Sequence, residues 1–261
     1  MLIKHQVPVA RGFLIVRGWV DLDMEIFSIV ISKFRFIIYL IPIFFISCSN
    51  SDIDKDLSPI SGYKYLAMGD SYTQGEGVCD SCSFPKQLLD SLNKGQVNNL
   101  TLLSIAQTGW TTTDLINGVV DINPPNDYDL VTLLIGVNNQ FRRIPFSVYE
   151  EEFPILLEKA IYLGKNDRNK VIVISIPDYS FTPIGQYYTT PEIVSDEISQ
   201  YNDFASIKCQ QENVYFQDIT DISKLGLEQP DLVASDDLHL SEVAYSKVVE
   251  RIFNKALSIL Q

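Results

Sequence analysis

The sequence predicts an α/β fold, a three-layer sandwich in which a central parallel sheet of about five strands carries helices on both faces. Two observations lead to this prediction. Apolar runs alternate with segments of helical periodicity five times between residues 62 and 261. The runs are continuously apolar, as in strands that are covered on both faces. Strands joined by crossover helices form a parallel sheet.

Each element has its own signal. The strand signals are apolar runs followed by turn residues, at residues 63–68, 100–106, 128–135, 171–176 and 214–219. The helix signals repeat apolar residues three and four positions apart, at residues 84–92, 111–120, 153–160, 194–205 and 241–260. Phe153, Leu156, Leu157 and Ala160 give the clearest such stripe. Threonines and an aspartate, which are favoured at helix starts, open the second helix.

The composition indicates a globular domain that does not bind nucleic acid. Hydrophobic residues make up 46% of the 261 residues and charged residues 20%, which is typical of a folded chain. The formal net charge of −13 would repel the phosphates of a nucleic acid. We expect one medium domain at residues 62–261, since this length can bury a proper core.

An apolar run near the N-terminus predicts a signal peptide at residues 1–47, with Met24 as an alternative start. The run Phe36–Ile46 has eleven residues and follows Lys33 and Arg35. A membrane span needs about 20 residues, so this run is too short. A basic segment followed by a short apolar stretch is instead the pattern of an export signal.

The segment ISC ends in Cys48 and resembles a bacterial lipobox, in which the cysteine is lipidated, although Phe45 replaces the usual leucine. The polar residues 48–61 suit a tether to such an anchor. We therefore expect a protein of the cell envelope that meets the membrane only through an N-terminal lipid. A plain secretory signal or an uncleaved anchor is the alternative.

Cys79 and Cys82 form a CxxC motif with two open interpretations. In an exported protein they can form a small disulfide. A thiol redox motif is less favoured, because nine residues separate Cys79 from the end of the preceding strand at Gly69, whereas a redox CxxC normally begins a helix directly. Two cysteines without a nearby histidine make a poor zinc site, so no metal is predicted.

Polar residues follow the predicted strands. Ser71 follows the first strand, Gly109 the second and Asn138 the third, and Asp236 and His239 precede the last helix. In open sheets of this kind the functional site lies at the carboxyl ends of the strands. We therefore expect these turns to meet on one rim of the sheet.

The types of residue on this rim suit nucleophilic catalysis. The chain has two histidines, and His239 alone lies outside the predicted signal peptide. A serine hydroxyl such as that of Ser71 needs a base to take its proton, and the base needs a carboxylate to hold its ring. Asp236 is the expected carboxylate, and Asp237 is the competitor.

An oxyanion also needs fixed donors. We expect the backbone N–H groups of Ser71 and Gly109 and the side-chain amide of Asn138 to supply them. Asp70, Trp110 and Tyr179 are expected to contact the substrate.

The motifs GDSYTQG, the Gly109 turn, GVN and DDLH, in this order, resemble those of the SGNH/GDSL hydrolase family over roughly residues 63–258. The resemblance implies a flavodoxin-like α/β fold and a hydrolase of esters or thioesters that uses no cofactor. It places Ser71, His239 and Asp236 in a triad and Ser71, Gly109 and Asn138 in the oxyanion hole. One departure is Asn139, where many members carry aspartate.

The expected reaction is ester hydrolysis, most simply of short-acyl or acetyl esters on glycans or small molecules. A lysophospholipase or thioesterase of the same fold is one alternative. A surface glycan-binding lipoprotein without turnover is another, and the CxxC oxidoreductase is a third.

Overall fold

The computed structural model describes residues 62–261 except Gln96, Asn98 and Thr189. The predicted signal peptide, Cys48 and the tether lie outside these residues. Five strands form one parallel sheet in the described part: β1 (Lys64–Gly69), β2 (Thr101–Ala106), β3 (Leu130–Leu134), β4 (Val171–Ile174) and β5 (Tyr215–Gln217). The predicted α/β fold is confirmed.

The strand order β2-β1-β3-β4-β5 positions the site. β1 pairs with both β2 and β3, and Leu66 lies opposite Leu103 on one side and Val131 on the other. The chain leaves β1 toward one edge of the sheet and later continues from β3 toward the other edge. This reversal opens a crevice beyond the carboxyl ends of β1 and β3, where α/β folds bind their ligands.

Nine helices connect the strands within the described residues: α1 (Ser71–Gln74), α2 (Phe84–Gly95), α3 (Thr112–Ile122), α4 (Val137–Phe141), α5 (Phe146–Leu163), α6 (Pro183–Tyr188), α7 (Pro191–Glu212), α8 (Thr220–Ser223) and α9 (Glu242–Leu260). α2 packs against α9, while α5 packs against both α3 and α7. Short 3₁₀ turns occupy Arg168–Lys170, Tyr179–Phe181 and Pro230–Leu232. In the same part of the chain, no helix combines the length and apolar character that crossing a membrane requires.

The core explains the continuous apolar strands of the sequence. Every residue of β3 and β4 is buried, as is β1 after its first residue. Between α5 and α7 an aromatic cluster adds to the core, with ring centroids 4.5 Å apart for Tyr149 and Tyr201 and 4.9 Å for Phe146 and Tyr201. Burial of this apolar surface is the main stabilising contribution.

Two differences from the sequence prediction concern helices. α5 begins at Phe146, seven residues before the predicted start, because Tyr149 continues the buried stripe toward the N-terminus. Four short helices, α1, α4, α6 and α8, were not predicted, since helices of four to six residues are too short to show a hydrophobic period. Of these, α1 and α4 follow a strand and carry predicted site residues, Ser71 and Asn138.

Candidate active site

Ser71 is the first residue of α1, directly after β1. The carboxylate of Asp70 caps this short helix, with Oδ1 accepting the N–H of Tyr72 at 3.0 Å. The Ser71 side chain is nearly buried, and the residue is 3% exposed. Its Oγ lies 3.0 Å from Nε2 of His239, within hydrogen-bonding distance.

His239 lies between Ser71 and Asp236. Nδ1 of His239 is 2.6 Å from Oδ2 of Asp236. Oδ1 of Asp236 accepts the backbone N–H groups of Leu238 at 3.0 Å and of His239 at 2.9 Å. Burial works against ionisation of Asp236, but these hydrogen bonds and the ring of His239 outweigh it and lower the pKa of the carboxyl. Asp236 is therefore held as a carboxylate against the imidazole.

The neighbouring Asp237 has a different role in the turn. Its backbone is left-handed, with φ of 61°, and its carbonyl accepts the N–H of Ile184 at 3.1 Å. Of the two aspartates, it is Asp236 whose carboxylate contacts the ring of His239.

Two of the predicted oxyanion donors, Gly109 and Asn138, lie on the adjacent connections that follow β2 and β3. Gly109 has φ of +82°, a conformation that favours glycine. Its carbonyl accepts from the guanidinium of Arg142 at 2.6 Å, and Nδ2 of Asn138 donates to the carbonyl of Trp110 at 3.0 Å. Within the described part of the chain the N–H groups of Ser71 and Gly109 have no acceptor, which leaves them available to an oxyanion.

Asn139 joins these two connections. It is completely buried, its Oδ1 accepts the N–H of Thr112 at 3.0 Å, and its Nδ2 donates to the hydroxyl of Thr112 at 2.7 Å. The Thr112 hydroxyl in turn donates to Glu152 on α5. An asparagine, which has both a donor and an acceptor, therefore fixes the β2–α3 loop against α4.

A small pocket of about 170 Å³ opens beside the reactive groups. Its walls are formed by the predicted site residues Ser71, Gly109, Asn138, Tyr179 and His239 together with Tyr72, Thr108, Val137, Phe141 and Leu238. A cavity of roughly 150 Å³ holds a molecule the size of benzene. The pocket therefore has room for a short acyl group.

Of the three residues expected to contact substrate, Tyr179 alone lines this pocket. The indole of Trp110 lies over Gly118 of α3, where a Cβ atom would come within 2.4 Å of the ring. Asp70 is fully buried, and its carboxylate caps α1. Tyr179 donates its hydroxyl to Oε1 of Gln140 at 2.7 Å.

Asp70 has an unusual environment for a carboxylate. Its second oxygen, Oδ2, has no hydrogen-bond partner among the described residues. Burial raises the pKa of Asp70 to about 7, and the N–H of Tyr72 offsets this only in part. The charge state of Asp70 therefore changes near neutral pH, directly beside Ser71.

Cys79 and Cys82 form a disulfide in the loop between α1 and α2. Cys79 is exposed, whereas Cys82 is buried. The same loop contacts the proposed acid, since a Cβ atom at Gly77 would lie 2.8 Å from Oδ2 of Asp236. The disulfide therefore constrains a loop that packs against the site. In the described residues, no group of histidine, cysteine and carboxylate side chains is arranged to hold a metal ion.

The site also contains residues that the sequence reasoning missed. Phe141 and Thr108 line the pocket, and Gln140 positions Tyr179. Thr108 precedes Gly109, and Gln140 and Phe141 follow Asn138 within one helical turn. Proximity to the predicted residues was therefore the available signal.

Comparison with known proteins gives one family. The sequence profile of the GDSL-like lipase/acylhydrolase family matches residues 67–247, more than half of the chain. A comparison with curated proteins gives no significant match.

Several solved structures share the fold. A lipase/acylhydrolase from Enterococcus faecalis is 19% identical, with a TM-score of 0.58 over 75% of this chain and 96% of that one. A variant of an acetyl xylan esterase from Geobacillus stearothermophilus is 18% identical, with a TM-score of 0.57 over 75% and 95%. A lipase from a goat rumen metagenome is 16% identical, with a TM-score of 0.61 over 76% and 100%. At these identities the likeness concerns the fold.

Proposed function

Since the chain belongs to the GDSL-like lipase/acylhydrolase family and is an ester-hydrolysing enzyme, we propose that it is a serine esterase acting through an acyl-enzyme. Its proposed substrates are short-acyl esters, above all acetyl esters on glycans. The observation that carries the proposal is the line of contacts from Ser71 Oγ to His239 Nε2 at 3.0 Å and from His239 Nδ1 to Asp236 Oδ2 at 2.6 Å.

In the first half of the reaction Ser71 Oγ attacks the ester carbonyl carbon while His239 Nε2 accepts its proton. Asp236 stabilises the imidazolium that forms. The negative charge on the carbonyl oxygen is bound by the N–H groups of Ser71 and Gly109 and by Nδ2 of Asn138. His239 then gives its proton to the leaving alcohol, and the acyl group remains on Ser71.

In the second half water replaces the alcohol. His239 takes a proton from the water, the resulting hydroxide attacks the acyl carbon, and the same donors bind the second oxyanion. When the C–O bond to Ser71 breaks, the proton returns from His239 to Oγ. The carboxylic acid leaves and the enzyme is restored.

The size of the pocket favours short acyl groups, because an acetyl group fits within about 170 Å³ whereas a fatty acyl chain would have to extend out of the pocket. A glycan as the alcohol component suits a protein tethered to the cell envelope. We propose that residues 1–47 direct export and that Cys48 carries the lipid. Labelling of the cells with a palmitate analogue should mark the protein and should fail with Cys48→Ala.

The mechanism is tested by hydrolysis of p-nitrophenyl acetate. Ser71→Ala and His239→Ala should each reduce kcat by about 10⁴-fold or more, whereas Asn138→Ala should reduce it by about 10²–10³-fold. Ser147→Ala, at an exposed serine on α5, is the matched control and should retain the full rate. Near-normal rates in Ser71→Ala or His239→Ala would end the proposed mechanism.

Substrate class is tested by a second series. Rates on nitrophenyl esters of increasing chain length should fall steeply beyond a few carbons, and acetylated xylan should be hydrolysed faster than lysophosphatidylcholine. The opposite order would favour a lysophospholipase. Failure of a fluorophosphonate probe to label Ser71 would favour a glycan-binding protein without turnover.

A further inference from the structure

We propose that the sugar carrying the acetyl group binds in a second pocket next to the catalytic one, which we call the glycan pocket. This inference rests on the proposed function and locates the alcohol component of the substrate. The glycan pocket has a volume of about 700 Å³ and lies between α4 with the loop that follows it and the N-terminal half of α7. Its walls include Phe141, Arg143, Tyr179, Ile193, Glu197 and Gln200.

The two pockets share two lining residues. Phe141 and Tyr179 line both of them, and their rings meet edge to face with centroids 5.8 Å apart. In the proposed arrangement the alcohol of an ester bound at Ser71 lies next to these two rings. An alcohol larger than the small catalytic pocket extends over Phe141 into the larger space.

Phe141 presents an exposed aromatic ring at this position. The residue is 53% exposed although it stands at the mouth of a pocket. About half of its surface is therefore accessible to a ligand. Ligand pockets combine such apolar surfaces with a few fixed polar groups, and the C–H face of a sugar ring is a suitable partner for an aromatic ring.

The polar groups of the glycan pocket are held in place by a buried amide. Gln140 is 6% exposed, accepts the hydroxyl of Tyr179 at 2.7 Å through Oε1, and donates through Nε2 to Oε2 of Glu197 at 2.7 Å. Glu197 thus has one carboxylate oxygen fixed, while the other can accept from a ligand hydroxyl. Gln140 therefore links Tyr179, which lines the small catalytic pocket, to Glu197 on α7.

Arg143 supplies donors in the same pocket. Its backbone is left-handed, with φ of 56°, a conformation that costs free energy for any residue with a Cβ atom. The conformation ends α4, because the N–H groups of Arg143 and Ile144 donate to the carbonyls of Gln140 and Asn139 at 2.8 and 2.9 Å. Arg143 and Glu197 together add no net charge, so the pocket suits a neutral ligand with many hydroxyl groups. A lipid chain would instead bring hydrocarbon against both charges.

The test compares kcat/KM on an acetylated xylo-oligosaccharide with kcat/KM on p-nitrophenyl acetate, which has no sugar. In Phe141→Ala and in Arg143→Gly the ratio of the two values should fall by about tenfold or more, mainly through KM for the sugar substrate. Glycine at position 143 relieves the left-handed strain, so a reduced ratio in this variant cannot result from unfolding.

Tyr162→Ala and Arg168→Ala are matched controls, since both change exposed residues away from the site, and both should keep the wild-type ratio. An unchanged ratio in Phe141→Ala and Arg143→Gly would overturn the glycan pocket while leaving the esterase intact. The glycan pocket would also be overturned if these variants lost more kcat/KM on p-nitrophenyl laurate than on the sugar ester, because the pocket would then hold an acyl chain.

A binding experiment distinguishes failure of the glycan pocket from failure of the proposed esterase function. Xylotriose is titrated into Ser71→Ala and into the double variants with Phe141→Ala or Arg143→Gly, with calorimetry as the readout. Binding to Ser71→Ala that is lost in both double variants supports the glycan pocket whether or not any ester is hydrolysed. Absence of binding to Ser71→Ala, or equal binding to all three proteins, overturns it.

Discussion

Asn139→Asp changes one hydrogen-bond donor into an acceptor where α4 meets the start of α3, between the proposed oxyanion donors Gly109 and Asn138. In the native protein Nδ2 of Asn139 donates to the hydroxyl of Thr112 at 2.7 Å, and this hydroxyl donates its own proton to Glu152. Aspartate has the same shape, but its second oxygen would face a hydroxyl whose only proton is already used. A carboxylate would thus be fully buried with one of its two partners lost.

The expected cost is that of an unsatisfied buried polar group, about 1–3 kcal/mol of unfolding free energy. At about 1.4 kcal/mol per pH unit this raises the pKa of the introduced carboxyl by about 1–2 units in the folded state. A raised pKa means that the penalty is absent below the ordinary aspartate value of about 4 and complete above the folded-state value. The variant should therefore become progressively less stable than the wild type as the pH rises from about 4 to about 6.

The assay is thermal unfolding at pH 4 and pH 8, with the wild type measured at both. At pH 8 the Tm of Asn139→Asp should be lower by about 2–4 °C for each kcal/mol lost, and at pH 4 the difference should nearly vanish. Adding Glu152→Gln should restore stability at pH 8. An amide at position 152 can donate to the hydroxyl oxygen of Thr112, and the hydroxyl proton is then free to bind the carboxylate introduced at position 139. Three outcomes would refute the proposed hydrogen-bond network. They are a variant as stable as the wild type at pH 8, a loss of stability that does not depend on pH, and no recovery in the double variant.

Three further results are expected. Because burial raises the pKa of Asp70 to about 7, the free energy of unfolding should fall by up to about 4 kcal/mol as the pH rises from about 4 to 7. Asp70→Asn should flatten this dependence, as measured by urea unfolding at pH 5 and pH 8. Reduction of the Cys79–Cys82 disulfide should cost about 2 kcal/mol of stability and reduce kcat. A Cys79→Ser/Cys82→Ser variant should be insensitive to dithiothreitol, and a variant as sensitive as the wild type would contradict this. Asp236→Asn should lower kcat by about 10⁴-fold, whereas Asp237→Asn should stay near the wild-type rate, and similar losses in both would exclude the assigned acid.

The main elements of the fold were predictable because burial imposes a pattern on long elements. β3 and β4 are buried along their whole length, so their sequences are apolar without interruption and stand out from amphipathic helices. The start of α5 was missed although Phe146, Tyr149 and Phe153 follow helical spacing. For α1 and α4 no pattern exists to be found, because a helix of one turn has no period.

The five residues predicted for the reaction centre lie together in the structure. They could be proposed from the sequence because the chemistry demands particular residue types in particular turns. Side-chain direction is another matter. Trp110 follows Gly109 directly in the sequence, yet its indole packs over Gly118 and leaves the pocket to other side chains. Whether a residue beside a predicted donor faces the ligand depends on the packing of the next helix, which no local motif encodes.

The contacts that hold the site in place are still further from local sequence. Asn139 contacts Thr112, which lies 27 positions away, and Thr112 contacts Glu152, which lies 40 positions beyond it. In isolation, the exchange Asn139→Asp looks neutral, because the two side chains have the same shape. In this chain Glu152 accepts the proton of the Thr112 hydroxyl, so the other partner of that hydroxyl must be a donor. The requirement for an amide at position 139 therefore comes from Glu152, and Glu152→Gln should allow aspartate at 139.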